Sequence, residues 1–423
     1  MPTKATRTNN ICVILLPNNQ KMNTSFLQKN YEGNRSASLK KEIIRILVVG
    51  GNYSIADISK EMSISVPTIT KLIVELINEG FVLDFGKQGT NGGRRPNVYG
   101  LNPDAGFFVG VDINKDNISM GVINLKGEMT EYTGHKSFIL DNTFDSLDKL
   151  CSIINSFIEK LPVPKDKVLS VGINLSGRVN SESGYSYSFY FLGEKPLSML
   201  VEERIDCPVY IENDSRAMTY GEFMMGEDSH VKDMIFINAS WGLGIGIITN
   251  GKLYYGKSGF SGEFGHFPFF DNEIICRCGK RGCLETGASG SAVHRMFTEQ
   301  LKEGRVSMLS NKFNNGEEIT LDDIMDALQK EDVLAIEVME CVGNELGKAI
   351  SGLINLFNPE LIVLGGTLAA AKEYILLPIK SAINKYSLIL VSKDTKVKLS
   401  KLGERCGVIG SCMLVRSKTL GLL

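Results

Sequence analysis

Apolar residues recur at helical spacing in three consecutive segments near the amino terminus. The first stripe runs over 40–49, and the second, over 55–62, follows Ser54, a residue type that caps helix starts. A third begins at Pro67, which suits a first helical turn, and stops at Gly80. A short polar turn joins the second helix to the third, an arrangement that predicts a helix-turn-helix.

Two short segments of strand character follow these helices, at 81–87 and 97–102, around a tip rich in Gly and Arg at 89–96. This pattern predicts a wing, so that 37–100 forms a winged helix-turn-helix domain. A helix of this type reads DNA with side chains near its start, and paired arginines suit a phosphate backbone or a narrow minor groove. The predicted DNA-binding residues are Ser65, Thr68, Thr70, Lys71, Arg94 and Arg95.

The distribution of charge agrees with a nucleic-acid partner for this first module. Residues 1–100 hold thirteen Lys and Arg against seven Asp and Glu, whereas the remainder holds 33 against 41. A basic module on an acidic body favours a polyanion as the partner of the module alone. The alternative is a three-helix module that docks on another protein. Residues 1–36 lack periodicity, and we expect a disordered arm or a true start at Met22.

Beyond residue 100, strands and helices alternate in two similar successions. Strand character at 107–113 and 118–129 precedes a helical stripe at 144–161 and another strand, and a comparable order begins at 234 and ends with the strand 361–366. Such alternation predicts an α/β class with two lobes and a cleft between them. We assign residues 101–225 to the first lobe and 226–423 to the second, and expect the last helix to return to the first lobe.

One histidine and three cysteines fall within eighteen residues of this second lobe. His266, Cys276, Cys278 and Cys283 provide the Cys₃His ligand set of a closed structural zinc site, with no position left for water. The alternative is a group of ordinary buried cysteines beside a surface histidine. The other cysteines are scattered without the spacing of a disulfide framework, which is typical of a reducing, cytoplasmic compartment. No apolar run is long enough to predict a membrane span.

Five segments of the chain together resemble the ROK family of sugar kinases and sugar-responsive repressors, and the match extends from about residue 37 to the end. They are SGR at 176–178, ENDSRAMTYGE at 212–222, GLGIGIITNGKLYYGKSGFSGEFGH at 242–266, CRCGKRGCLE at 276–285 and NPELIVLGG at 358–366. The resemblance implies an actin-like (ribonuclease H-like) two-lobed sugar-kinase fold that assembles as a homodimer or homotetramer.

The resemblance also implies that a sugar binds in the cleft. Asp214 occupies the position at which family kinases hold the base that deprotonates the sugar hydroxyl. Carboxylates, amides and an imidazole held by zinc suit a ligand with many hydroxyl groups. The implied sugar-binding residues are Gly177, Arg178, Asn213, Asp214, Glu263, His266 and Glu285.

Both loops that hold phosphate in the family kinases are altered in this chain. Family kinases carry Asp-Xaa-Gly-Gly-Thr at the first hairpin, but here both glycines are lost and Asp116 replaces the threonine. In the second loop, Trp241 stands where the kinases have a phosphate-contacting threonine. A carboxylate repels phosphate, and side-chain bulk prevents the close backbone approach that glycines allow.

We therefore expect a sugar-responsive DNA-binding regulator, in particular a repressor, with a double-stranded operator and a sugar as partners and no catalytic residue in use. The alternative is an ATP-dependent hexose or N-acetylhexosamine kinase fused to a DNA-binding domain, since Asp214 is kept. A third interpretation is that the large domain senses a partner protein.

Overall fold

The computed structural model describes residues 35–87, 96–228 and 230–423. Most of the predicted amino-terminal arm lies outside these residues, and so do Arg94 and Arg95 at the predicted wing tip.

The amino-terminal module contains three helices and a small antiparallel sheet of order β1-β3-β2. Ser54 caps the second helix through a capping box with Asp57, and Pro67 lies in the first turn of the third, as the sequence predicts. The short first strand was not predicted. The elements are α1 Arg35–Gly50, β1 Tyr53–Ser54, α2 Ile55–Met62, α3 Val66–Asn78, β2 Val82–Lys87 and β3 Asn97–Leu101.

The first lobe is built on a five-stranded mixed sheet of order β10-β7-β4-β5-β6. The hairpin strands pair antiparallel, and β7 and β10 then add in parallel beyond the first strand. The elements are β4 Phe107–Ile113, β5 Asn117–Asn124, β6 Met129–Ser137, α4 Phe144–Glu159, β7 Val168–Leu175, β8 Val179–Asn180, β9 Tyr185–Ser186, α5 Leu197–Ile205, β10 Val209–Asn213 and α6 Asp214–Met225.

The second lobe repeats this topology, with a sheet of order β13-β12-β11-β14-β15. The repeat confirms the α/β class and the two-lobed arrangement that the resemblance implies. The elements are β11 Met234–Ala239, β12 Leu243–Thr249, β13 Lys252–Leu253, α7 Gly290–Lys302, α8 Ser310–Asn314, α9 Leu321–Gln329, α10 Val333–Phe357, β14 Leu361–Gly365, α11 Glu373–Tyr386, α12 Ile389–Ser392, β15 Lys396–Leu399 and α13 Cys406–Leu420.

The last helix of each repeat packs against the sheet of the other lobe. Helix α6 lies on β11 and β12, while α13 returns to β4, β5 and β7. The two helices cross where Gly221 meets Gly410, and a Cβ at Gly410 would lie 1.9 Å from the backbone oxygen of Ala217. Such proximity requires glycine, so these residues determine how closely the lobes are joined.

The winged helix shares an apolar core with the first lobe and α13. Ile43 and Leu76 of the module, Leu125 of the first lobe and Leu414 of α13 belong to one buried cluster. Within the described residues, no helix is both long and apolar enough to cross a membrane.

Candidate functional site

Helix α3 presents the predicted DNA-reading side chains to solvent. Ser65, Thr68, Thr70 and Lys71 are all exposed, whereas Ile69 and Leu72 face the core. The Ser65 and Thr68 hydroxyls lie 2.8 Å apart, and the Thr70 hydroxyl donates to the Val66 carbonyl at 2.8 Å. These four side chains therefore present hydroxyl groups and the Lys71 ammonium group to solvent.

Two apolar side chains on the same face were missed from the sequence. Val66 and Val74 are each 49% exposed on α3. The helical spacing of apolar residues predicts which side chains are buried. It gives no means of recognising a valine that lies on the exposed face. Apolar contact with the thymine methyl group is one of the ways in which a helix reads the major groove.

The predicted metal ligands converge in a compact loop. Atoms of His266, Cys276, Cys278 and Cys283 all lie within 4.8 Å of one another. The loop is tightened by hydrogen bonds from Cys276 N to Lys280 O and from Gly279 N to Cys276 O, both 2.8 Å. Gly282 has a positive φ of 71°, and a Cβ there would lie 2.2 Å from the Phe270 oxygen.

The spacing of these atoms fits a tetrahedral metal ion. Cys278 Sγ lies 3.6 Å from Cys283 Sγ, and Cys276 Sγ lies 3.5 Å from His266 Nδ1. Sulfur ligands about 2.3 Å from a tetrahedral zinc ion would be about 3.8 Å apart. The cluster could therefore hold a metal ion through three sulfurs and one imidazole.

The first-lobe half of the predicted sugar site is held together at the start of α6. Asn213 caps this helix, and its side-chain amide donates to the Gly177 carbonyl at 3.0 Å and to Asp214 Oδ1 at 2.9 Å. The Ser176 hydroxyl donates to Asp214 Oδ2 at 2.9 Å. Burial raises the pKa of Asp214, and the hydrogen bonds from Ser176 and Ser215 oppose that rise. Arg178 is exposed beside them.

The second-lobe half lies around the metal loop. His266 Nε2 is 3.7 Å from Glu263 Oε2, and both residues line a cavity of about 700 Å³. Glu285 is buried, with Oε2 accepting from the Leu243 N–H at 3.0 Å. Of the two carboxylates, Glu263 is the more accessible to a ligand.

The two halves are connected through Ser215 and strand β12. Asp214 Oδ1 accepts from the Ser215 N–H at 2.7 Å, and a Cβ at Gly244 would lie 2.5 Å from the Ser215 hydroxyl. Leu243, next along the strand, binds Glu285. The glycine lets α6 approach the sheet closely enough to bring both halves to one cleft.

A buried ion pair beneath the cleft was not predicted. Arg216 is 2% exposed, and its Nε donates to Glu212 Oε1 at 2.8 Å. Tyr255 of the second lobe and Lys418 of α13 approach the other Glu212 oxygen, at 3.3 and 3.6 Å. Burial raises the pKa of Glu212, but Lys418 and Arg216 outweigh it and hold the pKa below its usual value. From the sequence alone, a Glu and an Arg are expected to be exposed to solvent.

Asp112 is the penultimate residue of the first strand of the first lobe and is buried near Asp214. Burial and the Asp214 charge raise the pKa of Asp112 to about 6, and hydrogen bonds from Asn174 and Asn114 oppose them. The Asn174 amide donates to Asp112 Oδ1 at 3.3 Å.

The β4–β5 hairpin turn and the loop between β11 and β12 meet across the cleft. Lys115 Nζ, in the hairpin turn of the first lobe, lies 5.6 Å from the ring centroid of Trp241 in the second lobe. This is within the range of a cation–π contact. His294 lies on the same indole, with ring centroids 5.5 Å apart. Side chains therefore occupy the region between these loops.

The fold and the site place the chain among two-lobed proteins of the sugar-kinase class, and the model of the ROK family matches residues 108–418. The chain belongs to the ROK family.

Three relatives show how far this likeness extends. The chain is 32% identical to the xylose repressor of Caldicellulosiruptor bescii, over 90% of this chain and 98% of that protein. The solved structure of a ROK family transcriptional regulator, homologous to the E. coli MLC protein, superposes with a TM-score of 0.76 at 28% identity, covering 90% of this chain and 96% of that one. A ROK glucokinase from Streptomyces griseus, solved with glucose and AMPPNP, gives a TM-score of 0.63 at 27% identity, covering 73% of this chain and 99% of that one.

Proposed function

We propose that this protein is a sugar-responsive transcriptional repressor. The observation that carries the proposal is the continuous apolar core that joins an exposed DNA-reading helix to a two-lobed sugar-binding domain. The repressor and regulator relatives cover both parts of the chain, whereas the glucokinase structure covers a smaller share.

Helix α13 connects the cleft to the DNA-binding module. It crosses α6 at Ala217 and Gly221, on the helix that Asp214 begins, and at its end a Cβ on Gly421 would lie 2.9 Å from Lys41 Cε on α1. A sugar that changes the angle between the lobes must shift α13 relative to α6. The shift would reorient the winged helix, and the sugar would favour whichever orientation it binds more tightly.

The proposed contacts follow from the two halves of the cleft and from α3. The sugar hydroxyls bind Asn213, Asp214, Glu263 and His266, with Gly177, Arg178 and Glu285 completing the site. Ser65, Thr68, Thr70 and Lys71 read the major groove, and Arg94 and Arg95 contact the backbone beside it.

Zinc is the metal that the Cys₃His set favours. His266, Cys276, Cys278 and Cys283 would hold it, and bound zinc would supply structural support without taking part in chemistry. The loop carries His266 and Glu285 to the cleft, so its order and sugar affinity are coupled.

A residual sugar kinase is the second candidate, because Asp214 keeps its position and its hydrogen bonds. The Lys115–Trp241 contact and the lost glycines favour the non-enzymatic function. Sugar-dependent release of ADP by the purified protein would establish the kinase and contradict the proposal.

A repressor of this kind acts in the cytoplasm as a homodimer or homotetramer. Paired winged helices would bind half-sites about one or two helical turns apart, roughly 10–20 bp.

The decisive experiment is fluorescence anisotropy on the DNA upstream of the protein's own gene, titrated with hexoses, pentoses and N-acetyl sugars. We expect specific binding that one sugar releases, and for Lys71→Ala a complex that is weaker and less selective for the operator sequence. Asp214→Ala should bind DNA normally but resist release. Lys372→Ala, which removes a lysine of the second lobe, is the matched control for Lys71→Ala. Specific binding that no sugar releases would contradict the proposal and favour a partner protein as the signal.

A further inference from the structure

A cluster of aromatic side chains lies at the mouth of the cleft and is not used by the proposed sugar contacts. The cluster, which we call the aromatic platform, comprises Tyr185, Tyr187 and Phe191 of the first lobe and Phe260 of the second. Tyr187 and Phe191 stack with ring centroids 5.6 Å apart, and Phe260 meets Tyr187 edge-on at 5.7 Å.

The platform is unusually exposed for aromatic residues. Tyr187 is 47% exposed, Phe191 58% and Phe260 37%. Burial of aromatic surface is favourable, so several rings left together in solvent mark a surface that gains free energy when a ligand covers it.

The backbone between Tyr187 and Phe191 is arranged to hold these rings outward. The intervening Tyr190 is buried and has a positive φ of 54°, a conformation that is costly for a bulky residue. Its hydroxyl bonds Ser146 at 2.9 Å, and its N–H donates to Asn142 Oδ1 at 2.8 Å. Because Tyr190 is fixed inward, its neighbour Phe191 is directed to solvent.

The platform is continuous with both halves of the proposed sugar site. The Tyr187 N–H donates to the Arg178 carbonyl at 2.9 Å, and the Ser188 hydroxyl accepts from the Arg178 N–H at 3.0 Å. Phe260 lies three residues before Glu263 in the chain. The aromatic platform therefore adjoins the residues proposed for polar contacts with the sugar.

We propose that the effector is an oligosaccharide of at least two linked sugar units. The inner unit binds the carboxylates and amides of the cleft, and the outer unit stacks the apolar C–H face of its ring on Tyr187 and Phe191. A flat ring and a pyranose face are complementary in shape, and the rings adjoin Arg178 on one side and the cavity of Glu263 and His266 on the other. This inference rests on the proposed sugar site.

The test is isothermal titration of the full chain with three matched pairs: xylose and xylobiose, glucose and cellobiose, N-acetylglucosamine and its β-1,4-linked dimer. We expect one disaccharide to bind roughly tenfold or more tightly than its monosaccharide. Tyr187→Leu and Phe191→Leu should remove most of that preference while changing monosaccharide affinity by less than about twofold. Leucine keeps apolar packing between the lobes but lacks a flat face. Phe191→Tyr should retain the preference.

Tyr386→Leu provides the matched control, because Tyr386 is 46% exposed on α11 in the second lobe, outside the platform. Equal losses for both members of a pair would show that the platform only packs the lobes together and would overturn the inference. A monosaccharide that binds as tightly as its disaccharide would do the same while leaving the repressor proposal intact. If no sugar of either length binds, both proposals fail.

Discussion

The two lobes share one strand order but differ in where segments are inserted. In the first lobe, the β8–β9 hairpin and the platform rings Tyr185, Tyr187 and Phe191 follow β7, and in the second Phe260, the metal loop and α7–α9 follow β13. The two insertions follow strands that are not equivalent in the repeats, yet both reach the cleft. The difference teaches that the repeated scaffold fixes the cleft and one half of its polar groups, while the metal loop and the aromatic rings come from unlike insertions.

Of the variants considered, the loss of one proposed metal ligand should reveal the largest difference between the two lobes. Cys278→Ser should abolish stoichiometric zinc and unfold the metal loop, since metal binding and loop folding are one equilibrium. We expect a large fall in melting temperature and in sugar affinity, measured by calorimetry alongside elemental analysis. Cys341→Ser, at an exposed cysteine of α10, should change neither. An unaltered zinc content in Cys278→Ser would refute the site.

Breaking the buried ion pair should destabilise both lobes together. Arg216→Met removes one of the two cations that compensate buried Glu212, and we expect a loss of about 3–5 kcal/mol in unfolding free energy, measured with urea. Arg305→Met is the control, because the Arg305–Glu337 pair is exposed at 44% and 51%, and surface pairs contribute about 0–1 kcal/mol. Equal losses in the two variants would mean that the Arg216 pair behaves as a surface pair.

Asp112 and Asn238 occupy the penultimate position of the first strand in each lobe, so Asp112→Asn makes the lobes more alike. The native state keeps the Asp112 proton up to a pKa of about 6, whereas the unfolded chain releases it near 3.8. Between these values the native state binds more protons, so stability falls as pH rises. Asp112→Asn should therefore stabilise the protein at pH 8 by up to about 3 kcal/mol, with little effect below pH 4.

Urea unfolding at pH 5 and pH 8 measures this difference, with Asp116→Asn, an exposed neighbour, as the control. A stability gain that does not depend on pH would assign the effect to packing instead of to charge.

Helices α6 and α13, each of which packs on the sheet of the other lobe, can be perturbed with a single methyl group. Gly410→Ala places a Cβ against the backbone of α6, and we expect a loss of about 1–3 kcal/mol in unfolding free energy together with altered release of DNA by sugar. Gly352→Ala on α10, where no atom lies within 4 Å of the added Cβ, should be neutral or stabilise by up to about 1 kcal/mol. If Gly410→Ala and Gly352→Ala had the same effect on the unfolding free energy, the crossing of α6 and α13 would not constrain the lobes.

The sequence predicts the elements well where local chemistry determines them. Ser54 and Pro67 mark helix starts, and the Cys and His spacing predicts the metal cluster. The sequence does not reveal that α6, within the span assigned to the first lobe, packs on the second sheet. An apolar stripe shows that a helix is buried, but not against which sheet. For the same reason Arg216 could not be recognised as buried: Glu212 is only four residues away, but the Val179 carbonyl and the Tyr255 ring that enclose the guanidinium are distant in the chain.

Trp241 is the only tryptophan in the chain, and it lies where the lobes face each other, beneath the ammonium group of Lys115. Its emission is therefore expected to respond to the contact between the two hairpin loops. Opening of the cleft would withdraw the cation and admit water to an indole that is now 37% exposed. The intrinsic fluorescence of Trp241 would thus report effector binding in solution without a label.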